Sequence, residues 1–150
     1  MSVLRNLEPK SVFGYFEDIC NIPHGSGNMD KISQFCVDFA KEHPEANVLH
    51  LWLSDGHRNH CECENCRKKL PADWYVILLN ELDAELTKRN LTTKIVFLIY
   101  HDLLWAPETE KIKNPERFVL MFAPITRSYS KAFSDGDIHK QVCLPDYKRN

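Results

Sequence analysis

Long apolar runs are missing from this sequence. The longest, residues 95–100 and 118–125, fall far short of the ~20 residues that span a bilayer. A surplus of positive charge is missing too. Lys+Arg is 19 against 21 Asp+Glu, a formal net charge of −2. Non-specific nucleic-acid binders carry a basic footprint, so neither nucleic acid nor membrane is expected as a partner. Glycine is scarce at 5 residues, which excludes a collagen-like chain. Internal repeats and low-complexity tracts are absent. The first residues carry Arg5, Glu8 and Lys10 and lack the apolar centre of a secretory signal, so a cytoplasmic location is expected. What remains is an ordinary globular balance, 43% hydrophobic and 27% charged. The six cysteines of such a chain are expected as thiols or metal ligands rather than disulfides.

The pattern changes near His43-Pro44. Residues 1–42 read as two amphipathic helices around a glycine turn. Val12, Phe13, Phe16, Ile19 and Cys20 form one helical stripe, and Pro9 suits a first helical turn. The turn Pro23-His24-Gly25-Ser26-Gly27-Asn28 follows, with Asn28 as the expected N-cap of a second helix. There Ile32, Phe35, Cys36 and Phe39 repeat the helical spacing. From residue 44 the order becomes strand, loop, helix, strand. Residues 48–53 read as a buried strand running into Ser54-Asp55-Gly56. Pro71 and Asp73 open a helix reaching about Arg89, with Trp74, Ile77, Leu78, Leu82 and Leu86 on its inner stripe. Residues 94–100 and 118–122 read as two further strands. Strand–helix–strand order predicts a parallel sheet.

The sharpest chemical constellation is His57-Arg58-Asn59-His60-Cys61-Glu62-Cys63-Glu64-Asn65-Cys66. The spacing of Cys63 and Cys66 lets a tight turn aim two sulfurs at one ion, and Cys61 adds a third. His60 or His57 would complete a tetrahedral Cys3His zinc site, structural because a closed thiolate set leaves no open position. The plainer alternative is a reduced, oxidisable surface loop. A second constellation lies at the strand ends, where parallel β/α proteins collect their active sites. Asp55 follows one strand and Asp102 the next. With neighbouring strands ~4.8 Å apart, these two are candidate catalytic carboxylates at the ~5–9.5 Å spacing used in glycoside hydrolysis. The alternative makes Asp55-Gly56 a turn and Asp102 a cap. His101 and Trp105 are candidate carbohydrate ligands, although aromatics in this region, Trp52, Trp74 and Tyr100 included, more often belong to a core. His24 reads as a turn residue, and Cys20 and Cys36 as core residues. Cys143 has no interpretable partner. The run Glu108-Thr109-Glu110-Lys111-Ile112-Lys113 reads as a solvated helix face.

Two resemblances divide the chain. Leu7-Glu8-Pro9, Phe13-x-x-Phe16 and Ile22-Pro23-His24-Gly25-Ser26-Gly27-Asn28 make residues 2–42 similar to the start of aminoacyl-histidine (cytosol non-specific) dipeptidases. In those zinc metallopeptidases the segment is a helical lead-in, with the metal ligands further downstream, so no catalytic residue carries over. Residues 43–150 resemble part of a bacterial family of unassigned function, expected to be a glycoside-hydrolase-like TIM barrel. That resemblance rests on Leu51-Trp52-Leu53-Ser54-Asp55-Gly56, Cys61-x-Cys63-x-x-Cys66, Asp73-Trp74-Tyr75, Leu79-Asn80-Glu81-Leu82, Tyr100-His101-Asp102 and Phe122-Ala123-Pro124-Ile125. Together they imply a chimera joined near His43.

The expected fold class is α/β: two N-terminal helices (1–42), then an incomplete parallel β/α, partial TIM-barrel-like layer (43–150) with a cysteine-rich loop at 57–70. A complete barrel needs about 250 residues and eight βα units, so sheet edges left unpaired favour self-association. Three functions are open. The chain is a fragment of a carbohydrate-active hydrolase, inactive alone; or a truncated dipeptidase without its metal site; or a small zinc-stabilised binding module.

Overall fold

The computed structural model describes residues 4–23, 26–53, 60–124, 128–132 and 134–135. Its elements are α1 (Lys10–Cys20), α2 (Met29–Glu42), β1 (Val48–Leu51), α3 (Pro71–Lys88), β2 (Lys94–Ile99) and β3 (Phe118–Phe122). The three strands form one parallel sheet in the order β1-β2-β3. Val48 pairs with Lys94 and Leu51 with Phe97; Ile95 pairs with Phe118 and Ile99 with Phe122. The mixed α/β class and the parallel sheet agree with expectation. No helix of the described residues is long and apolar enough to cross a membrane.

The core lies where α2 and α3 meet the sheet: Val37, Ala40, Tyr75, Leu79, Leu82, Leu86 and Ile95 are buried together. α3 is central because it is apolar on more than one side. Tyr75, Val76 and Leu79 are buried beside the expected Leu78, Leu82 and Leu86, whereas Trp74 and Ile77 are only half-buried. α2 departs from its expected stripe. Its buried face is Ser33, Val37 and Ala40, because small side chains let α2 and α3 approach closely. The bulkier Phe35 and Phe39 turn toward α1, where both meet Tyr15 edge-on at ring-centroid distances of 6.5 and 5.1 Å. Asn28 stands at the N-cap of α2 without capping it; its Oδ1 accepts from Lys31 Nζ at 2.9 Å.

α1 buries none of its residues. Val12 and Phe16 of the expected stripe are exposed, as is Cys20, which corrects its assignment to the core. Besides the Tyr15 ring contacts with Phe35 and Phe39, polar contacts hold α1. Tyr15 Oη lies 2.8 Å from His43 Nε2, and His43 Nδ1 lies 2.9 Å from Glu45 Oε1.

The connection from β2 to β3 differs most from a repeated β/α unit. Residues 100–117 contain two short 3-10 turns and no α-helix, so the run 108–113 is not the helix face expected. The segment is fastened to α3 by polar side chains. Asp73 Oδ1 accepts from Thr109 N, Thr109 Oγ1 and Glu110 N at 2.8, 3.1 and 3.0 Å. Asn80 brackets Lys111 O and Lys113 N, both at 2.9 Å. Arg117 closes the end: Nε donates to Asp83 Oδ1 at 2.7 Å, and Nη1 donates to Leu91 O and Thr93 O at 2.8 and 2.9 Å. One helix thus backs both crossovers.

Candidate metal centre

The cysteine-rich segment leads directly into α3, and hydrogen bonds shape it. Asn65 precedes a 3-10 turn at Cys66–Lys68, and Arg67 N donates to Cys63 O at 3.0 Å. This tight turn brings Cys66 N within 3.5 Å of Cys63 Sγ. Cys66 is 9% exposed, and Trp74 Nε1 donates to its carbonyl at 3.0 Å. The indole of α3 therefore fixes the backbone of one sulfur-bearing residue. Sequence reasoning places Trp74 on the helix stripe and misses this role. The available signal is that a half-buried indole N–H needs an acceptor, and the backbone just before the helix offers carbonyls within its reach.

The Sγ atoms of Cys61, Cys63 and Cys66 all lie within 4.8 Å of one another. A tetrahedral zinc with Zn–S bonds of ~2.3 Å sets its sulfurs about 3.8 Å apart, so the three thiols fit such an ion after a small contraction. Their electrostatics favour ligation. The Cys63 thiol is lowered to about 7, first by the Cys66 backbone N–H and then by hydrogen bonds from the Cys61 and Cys66 thiols. At Cys61 the Cys63 backbone N–H also lowers the pKa, but hydrogen bonds to the other two thiols outweigh it and raise that group. Metal ligation requires deprotonated sulfur, and this turn stabilises the first thiolate at Cys63. Cys36, by contrast, is a half-buried thiol packed against the core, pushed up to about 11 by desolvation.

His60 is not one of the clustered groups. Its Nδ1 lies 3.6 Å from Asp102 Oδ2, with side chains 32% and 17% exposed respectively. Asp102 belongs to the 3-10 turn His101–Leu104 just past the carboxyl end of β2. His101 enters that turn with a φ of 47°, a left-handed conformation uncommon outside glycine, though histidine adopts it more than most. Its ring packs on Tyr100 at a centroid distance of 3.8 Å. Trp105 follows the turn and is half-buried. The structure therefore brings Asp102 and His60 together, a pairing that local sequence patterns do not reveal. Asp55, His57, His24 and Cys143 lie outside the described residues. β1 and β2, the strands preceding Asp55 and Asp102, are adjacent as expected. Tyr75 bridges them: its hydroxyl donates to Leu51 O and accepts from Leu98 N at 3.3 Å.

No family model, no curated protein and no solved structure matches this chain.

Proposed function

We propose that the chain is a zinc-stabilised α/β module, with Cys61, Cys63 and Cys66 as thiolate ligands and His60 or His57 as the fourth. The observation that carries this reading is the convergence of three Sγ atoms within 4.8 Å. Three thiolates and an imidazole close the coordination shell, so the metal's role is structural. It orders a polar loop that passes the end of β2 before entering α3. Free thiolates of this kind suit a reducing compartment, and we place the chain in the cytoplasm on that basis.

A second reading concerns ancestry. The parallel order β1-β2-β3 supports one sector of a glycoside-hydrolase-like barrel, and the resemblance of residues 43–150 points the same way. Strand carboxyl ends are where such folds bind ligands. Here they present the exposed Trp52 after β1 and His101-Asp102 after β2, which favours a carbohydrate as the ancestral ligand. Fold analogy does not specify a substrate. The dipeptidase reading is confined to residues 2–42, which carry none of that family's metal ligands. The chimera thus reads as a dipeptidase-like helical start on a barrel fragment that is inactive alone, hydrolysing neither aryl glycosides nor histidine-containing dipeptides.

Zinc content and thiol reactivity of the full chain, purified without a metal-binding tag, test the primary reading. The expected result is near one zinc per chain, with the loop cysteines reacting only after a chelator is added. Absence of zinc together with freely reactive loop thiols would overturn it.

A further inference from the structure

We propose that Asp102 is a positioning residue of the metal centre, holding His60 as the fourth ligand through the ring nitrogen that does not meet the metal. This rests on the zinc reading above and goes beyond it by selecting His60 over His57 and giving Asp102 a role other than acid catalysis. A histidine that ligates a metal through one nitrogen commonly donates the other N–H to a carboxylate, which fixes the tautomer and orientation of the ring. His60 Nδ1 faces Asp102 Oδ2 at 3.6 Å, which leaves Nε2 as the nitrogen turned away from the carboxylate. The ring does not stand within 4.8 Å of all three sulfurs, so ligation must draw the ring and the thiols together. The separation is that of an ion pair, longer than a hydrogen bond. Ligation at Nε2 places the proton on Nδ1 and draws that N–H onto the carboxylate.

The partners are well anchored for this task. Asp102 sits in a turn attached to β2, and its side chain is mostly shielded. Cys66, at the other end of the loop, is tied to α3 by Trp74. His60 is covalently next to Cys61, so orienting its ring orients the approach of the first sulfur. The metal centre on this account joins the end of β2 to the start of α3, and its loop is stabilised from both sides.

Cobalt(II) added to the full-length chain in reducing buffer reads the donor set directly. Sulfur-to-cobalt charge transfer reports the thiolates, and the d–d bands report the fourth donor. The wild type is expected to show three-thiolate charge transfer with tetrahedral bands. H60A, with H60Q as a second variant, should retain the charge transfer and shift the d–d bands. D102N should keep the wild-type spectrum while losing about 10–100-fold in cobalt affinity, with partial rescue by D102E. Unchanged d–d bands in both His60 variants, or an unchanged cobalt affinity in D102N, would overturn the proposal while leaving the three-thiolate site standing. A wild type without thiolate charge transfer would overturn both.

Discussion

Asp73 gathers donors from two distant segments onto one carboxylate that is 1% exposed. Oδ2 accepts from Leu70 N at 3.2 Å, while Oδ1 takes the three donors of Thr109 and Glu110. Burial raises its pKa, but the backbone N–H groups of Thr109, Glu110 and Leu70 outweigh burial and hold the group below the usual carboxylate range. A folded pKa below the unfolded value of ~3.9 stabilises the fold above that value, and the contribution is lost as pH falls through the folded pKa. D73N is therefore expected to cost about 2–3 kcal/mol at pH 7, the scale of hydrogen bonds to a charged acceptor. The gap between variant and wild type should narrow as the pH falls below about 4. Urea denaturation at several pH values checks this, and a gap independent of pH would contradict it. The sequence shows Asp73 as the opening residue of a helix. It does not show that Thr109 and Glu110 bind it, because helical periodicity carries only neighbours within a turn or two. The same limit hides the His60–Asp102 contact, whereas the clustering of Cys61, Cys63 and Cys66 is legible because their spacing is local.

The helices divide by what they bury. α3 supplies Leu79, Leu82 and Leu86, each no more than 1% exposed, whereas Phe16 of α1 is 56% exposed. L79A should thus cost about 2–5 kcal/mol, the range for emptying a core site, while F16A should change stability by no more than about 0.5 kcal/mol. Denaturant midpoints for the two variants decide the point, and a large loss in F16A would mean that α1 is part of the core. This division explains which elements were readable. α3, β2 and β3 follow the residues 71–89, 94–100 and 118–122 within a residue or so, because the helical spacing and the short continuous apolar runs are strong there. The stripe of α1 has correct helical spacing, but its contact with α2 leaves Phe13 and Ile19 only half-buried and Val12 and Phe16 exposed, so amphipathicity alone overstated its burial. The connection after β2 is the reverse case. Its charged run has a plausible helical pattern, yet Asp73, Asn80 and Asp83 capture the backbone and side chains of residues 109–117 in an irregular path.

At the scale of the whole molecule, a three-stranded parallel sheet has β1 and β3 at its edges. Parallel sheets are ordinarily covered on both faces, and edge strands with apolar side chains are templates for association. Val119, Leu120 and Phe122 of β3 are each about half exposed, at 50, 51 and 50%. We predict concentration-dependent self-association that L120K reduces, measured by sedimentation velocity; an identical distribution for both proteins would place the contact elsewhere. The parallel β/α layer was legible from element order, since parallel neighbours require a crossover. How far that layer continues toward a barrel is a property of contacts between distant strands, which no local pattern encodes. The proposed metal centre ties the cysteine-rich loop to this layer. Zinc K-edge X-ray absorption on the purified chain tests it most directly. The expected spectrum has three sulfur scatterers at about 2.3 Å and one nitrogen at about 2.0–2.1 Å. A shell of nitrogen and oxygen donors alone, or no protein-bound zinc, would contradict it.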